Sequence, residues 1–185
     1  MLALALLWAA QAASAQTPAA AQTPIEAPAP TTPPTVTNQG RAGDFMLLQL
    51  WSNNPEAFMR AWNQPSPPHL VTSARTERNK PISAFIIFAG CKGDAAGNCN
   101  LKGSIKFLDP DGGVYGEHKD VDVYNGPAIA GHDLRLSPSG PVLTIEDGEK
   151  LGVYRVQIAV TDINANVTAL TEEKLTIVEA AAGKP

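Results

Sequence analysis

Apolar and polar positions alternate with a period of two in several stretches of this chain, and Gly, Pro, Asn and Asp fall between those stretches. The clearest stretch is EDGEKLGVYRVQIAVTD, where Tyr154, Val156, Ile158 and Val160 share one face and Arg155 and Gln157 the other. Leu101 to Leu108 alternates as cleanly, with Leu101, Gly103, Ile105 and Phe107 opposite Lys102, Ser104 and Lys106. Each reads as a half-buried strand of an antiparallel sheet. Ile82 to Ala89 (ISAFIIFA) is instead nearly continuous in β-branched and aromatic residues, which predicts a central strand covered on both faces.

Around these, Asp44 to Trp51 predicts a first strand, ended by Ser52-Asn53-Asn54-Pro55. Asn54 is placed as an N-cap, Pro55 at the first helical position and Glu56 in the first turn, so a short helix is expected over Pro55 to Trp62. It would carry Phe58 and Trp62 on one face and close the open end of the fold. Leu70 to Thr76 predicts a short strand. Asp109-Pro110-Asp111-Gly112 is turn chemistry, and Val114 to Tyr124 returns as a hairpin partner. Leu134 with Leu136, Val142 to Ile145, and a last strand with Leu175 and Ile177 facing inward complete the set. Eight or so short strands and one brief helix predict an all-β, antiparallel β-sandwich.

Composition narrows the setting. MLALALLWAAQAASA is an apolar run ending in Ala13-Ser14-Ala15, the pattern of a secretory signal peptide cleaved before Gln16. Such a run is shorter than the ~20 residues a membrane span needs, so no transmembrane segment is expected after cleavage. Residues 16–40 are rich in Pro, Ala and Thr and predict an extended, disordered tether. Residues 41–180 then form one domain of about 140 residues, and 181–185 a short tail. A formal charge of −4 gives no basic surface and argues against a nucleic-acid partner. An exported chain with two cysteines predicts a disulfide, Cys91 to Cys99, closing the KGDAAGN loop between two neighbouring strands.

At Gly152-Val153-Tyr154-Arg155-Val156 the chain resembles the tyrosine corner of immunoglobulin-like sandwiches, in which a Tyr opens the penultimate strand two residues before a core position. Val156 holds that core position, so the inter-sheet cysteine of antibody domains is missing and the likeness is to the broader immunoglobulin/fibronectin-type architecture. FAGC…GNC, LDPDGGVYGE and LGVYRVQIAVTD also resemble a group of exported single-domain bacterial proteins that carries no assigned activity. That resemblance implies a fold and a periplasmic or secreted compartment, and no mechanism.

Candidate chemistry is sparse. Asp94, Asn98 and Asn100 in one loop and Asp109 and Asp111 in the next are explained by turn formation, because the further oxygen ligands calcium needs do not follow. His118, Asp120 and Asp122, on an alternating strand, would point to one face and could bind a metal; the competing reading is a charged edge strand. No nucleophile elbow, H-E-x-x-H or phosphate-binding Gly loop occurs, so no catalytic residue and no cofactor is expected. Phe58, Met59 and Trp62 form the one aromatic and Met cluster that could meet a partner, with burial as the competing explanation. The expectation is a non-enzymatic binding or structural module of the bacterial cell envelope, whose partner is another envelope protein or component. The alternatives are a small hydrolase or metal-binding protein with a loop-assembled site, and an accessory subunit that donates an edge strand to an envelope assembly.

Overall fold

Two sheets face each other across one apolar core, and each strand's inner face follows from its alternation. The computed structural model describes residues 37–65, 69–128, 131 and 133–180. The expected signal peptide, most of the expected tether, the tail and His132 lie outside these residues. The elements are β1 Gln39–Ala42, β2 Phe45–Ser52, α1 Pro55–Trp62, β3 Arg75–Glu77, β4 Ile82–Ala89 and β5 Asn98–Leu108. They continue as β6 Val114–Pro127, β7 Arg135–Leu136, β8 Val142–Leu143, β9 Gly152–Asp162 and β10 Val167–Val178. One sheet has the order β1-β2-β4-β7, with β8 also pairing to β4, and the other the order β3-β10-β9-β5-β6. All pairs are antiparallel except β3 with β10. The chain is an all-β sandwich of two sheets with one short helix.

The core lies between Phe45, Leu47, Ile86 and Phe88 of the first sheet and Leu101, Ile105, Val156 and Ile158 of the second. β4 is covered on both faces, as its nearly unbroken apolar run requires. Ala84, Ile86 and Phe88 point into the sandwich, while Phe85 and Ile87 point outward beneath α1 with Phe58. The helix forms where expected: the Asn54 side chain accepts from the Ala57 N–H at 3.0 Å, and Pro55 opens the first turn. Its position differs from the expectation, because α1 lies on the outer face of the first sheet rather than over an open end. The apolar outward positions Leu48, Leu50, Phe85 and Ile87 leave a surface that only such a lid removes from water.

The tyrosine corner is formed: Tyr154 is buried, and its hydroxyl donates to the Lys150 carbonyl at 2.8 Å. The disulfide Cys91–Cys99 is also present, but the strands it links are not neighbours in one sheet. Cys91 follows β4 of the first sheet and Cys99 lies in β5 of the second, so the bridge ties the sheets at the crossover.

Two boundaries move. Ordered strand begins at Gln39, inside the segment assigned to the tether, because β1 is held by backbone pairing to β2 and needs no apolar side chain. The strand expected over Leu70 to Thr76 shrinks to Arg75–Glu77. The Ser73 hydroxyl donates to the Arg75 carbonyl and accepts from the Arg75 N–H, making a turn that delays pairing with β10.

Candidate functional site

A broad concavity lies on the outer face of the first sheet, between α1 and the broken edge strand formed by β7 and β8. Its volume is about 1230 Å³. The helix supplies Met59 and Trp62, β4 supplies Ser83 to Phe85 as a floor, and Asp133 to Gly140 with Val142 supply the far wall. These residues meet because β7 pairs with the C-terminal end of β4 and β8 with its N-terminal end. The segment between them, Ser137-Pro138-Ser139-Gly140-Pro141, stays bonded to β4 at both ends: the Ser137 N–H donates to the Ile86 carbonyl and the Ala84 N–H to the Pro141 carbonyl, each at 2.8 Å. Gly140 is required at the point of closest approach, since a Cβ there would lie 2.2 Å from the Ala84 carbonyl oxygen. Three large hydrophobic side chains stand exposed around this groove: Met59 (37%), Leu134 (50%) and Val142 (57%). Asp133 and Arg135 contribute one charge of each sign.

Of the three residues expected at a partner surface, the structure leaves two available. Phe58 is fully buried and stacks on Phe85, with ring centroids 3.6 Å apart, so it is a core residue. Met59 and Trp62 line the groove. Leu134, Val142 and the Pro138–Gly140 wall were not singled out from the sequence. Their signal was the exposed apolar positions next to the turn Pro138-Ser139-Gly140, which reads equally as a short core strand.

The expectation that His118, Asp120 and Asp122 share a face is corrected. Gly103 faces Val121 and Ile105 faces His118, so Ser104 alone opposes Lys119 and Asp120. That bulge is made by Asp120 in the left-handed region, at φ 55°. A strand with an extra residue loses its two-residue alternation. His118 therefore lies opposite inward-facing Ile105, its ring edge-on to Phe107 at 6.5 Å, while Asp122 lies opposite outward-facing Lys102 and forms an ion pair with it. Among the described residues no three His, Cys, Asp or Glu side chains come together as a metal would require.

The loop carboxylates act on their own backbone. Asp94 accepts from the N–H groups of Ala96 and Asn98, and Asp109 from those of Asp111 and Gly113. Lys150 adds ion pairs to Asp109 at 2.9 Å and Asp111 at 2.6 Å, tying the β5–β6 turn to the start of β9. The Lys150 contact holds the Asp109 carboxyl below the usual carboxylate range, and the two aspartates push the Lys150 ammonium up. Burial pushes the Tyr115 phenol up to about 12, helped by its hydrogen bond to Glu149. Burial alone raises Glu173. None of these groups lines the α1 groove.

No family model and no curated protein matches the sequence. Among solved structures, a Niemann-Pick type C2 protein from Japanese carpenter ant is similar with a TM-score of 0.37 and 9% identity. The match covers 76% of this chain and 94% of that one. The sandwich described above rests on its own strand pairing. No helix among the described residues is long and apolar enough to cross a membrane.

Proposed function

We propose that this chain is a non-enzymatic binding or structural module of the bacterial cell envelope, periplasmic or secreted, that engages another envelope protein through the α1 groove. The observation that carries the reading is the groove itself: an open concavity with Trp62 and Phe85 at its base and Met59, Leu134 and Val142 exposed around it. Large apolar side chains gathered around a concavity are the usual marks of a protein-binding patch. The near-neutral rim suits a polypeptide rather than a polyanion. The disulfide suits an oxidising compartment, as does the exported bacterial group that the sequence resembles.

The test uses Leu134→Asp with Val142→Asp, two exposed rim positions whose change leaves the core untouched. The doubly substituted full chain should fold normally and lose at least about tenfold in affinity for the envelope protein captured by the unsubstituted chain. Unchanged capture by a folded variant would refute the groove as the binding surface.

A further inference from the structure

On the other side of the molecule, β1 occupies a slot between the two sheets. On one flank it pairs with β2 from Gln39 opposite Leu48 to Ala42 opposite Phe45, and the Gln49 N–H donates to the Asn38 carbonyl at 2.8 Å. On the other flank, the Glu172 N–H of β10 donates to the Thr37 carbonyl at 2.9 Å. The fit is tight at one point: a Cβ on Gly40 would lie 2.3 Å from the Leu170 carbonyl oxygen. No residue of β1 is buried, and only Ala42 packs against the core. The β2 edge beneath it, by contrast, carries the buried Phe45, Leu47 and Trp51. The strand is thus held by backbone hydrogen bonds and one glycine-shaped contact. A two-residue turn joins it to β2, and there Gly43 stands at φ 59° with open space around it.

From this arrangement we propose that the β2–β10 slot is a strand-acceptor site, and that β1 of a second copy exchanges into it. Backbone pairing recognises any extended segment, and the Leu170 contact then selects one with glycine at the matching position. The strand that meets both conditions is β1 itself. A short element at the end of its sheet, with little buried surface and a tight hinge, is the kind that exchanges between identical chains at low free-energy cost. This site is separate from the α1 groove and does not depend on it.

Cysteine trapping in full chains tests the exchange. One population carries Thr37→Cys and the other Glu172→Cys, positions whose backbones hydrogen-bond to each other across the slot. The two are mixed, and mixed-disulfide dimer is compared with a control mixture in which Ile163→Cys replaces Glu172→Cys. Exchange predicts about tenfold or more heterodimer over that control. Adding Gly40→Val to the Thr37→Cys chain should suppress it, because the donated strand no longer seats. Adding Gly40→Val to the Glu172→Cys chain should raise it, because that chain's slot is vacated. Opposite effects of one substitution separate exchange from unfolding, which would lower both yields. Heterodimer at the control level, or a yield that Gly40→Val leaves unchanged or lowers in both placements, overturns the proposal.

Discussion

The Tyr154 hydroxyl donates to the Lys150 carbonyl, four residues upstream, at 2.8 Å, while the Lys150 ammonium grips Asp109 and Asp111. One lysine thus closes the corner with its backbone and pins the β5–β6 turn with its side chain. Tyr154→Phe leaves the Lys150 carbonyl, in a part-buried site, without its donor. It should lower unfolding stability by about 1–2 kcal/mol, with the denaturant midpoint shifted and the slope unchanged.

Asp162 is fully buried, and its carboxylate accepts from the backbone N–H groups of Lys92, Asn164 and Ala165. It joins the loop after β4 to the β9–β10 turn. Asp162→Asn would bring an amide N–H toward groups that are all donors, so a loss of about 2–3 kcal/mol is expected by chemical denaturation.

Asp120 holds a left-handed conformation that makes the β6 bulge. Asp120→Gly relieves the Cβ penalty and should leave stability equal or raised by up to about 1 kcal/mol, whereas Asp120→Val should lower it by more than that. Equal effects of the two would mean that the bulge adapts to its residue.

Burial raises the Glu173 carboxyl above its ordinary value. A carboxyl more easily protonated in the folded than in the unfolded chain opposes folding once it ionises. Its penalty is full above the raised value and absent below the unfolded one. Glu173→Gln should therefore raise thermal stability at neutral pH, and the advantage should fade as the solution is acidified through that range.

Cys91→Ser with Cys99→Ser removes the tie between the sheets. On the loop-entropy account the loss is about 2.5 kcal/mol. Binding through the α1 groove should survive, since neither cysteine lines it.

How far the sequence foretold this depends on what holds each element. β4, β5 and β9 were legible because hydrophobic burial holds them, and burial writes its period into the residues. The helix was legible from Asn54-Pro55 and Glu56, which act locally. β1 was not, because Gln39-Gly40-Arg41-Ala42 is held by main-chain hydrogen bonds that every sequence offers. The His118–Asp122 stretch misled because a left-handed Asp120 leaves no mark in the alternation, yet reverses the faces on either side of it. The groove was half legible: Met59 and Trp62 stood out as aromatic and Met side chains on a helix. Their partners at Leu134 and Val142 arrive only through the pairing of β7 and β8 with β4, a long-range relationship that no local pattern encodes.

The most direct test of the binding reading places a photo-crosslinking side chain at Leu134, and a control one at the exposed turn residue Ile163, in the full chain within its own envelope fraction, with elemental analysis of the purified protein alongside. The account predicts one protein adduct from position 134, none from 163, and no stoichiometric metal. Adducts of equal yield from both positions, or no adduct together with a stoichiometric metal, would contradict it.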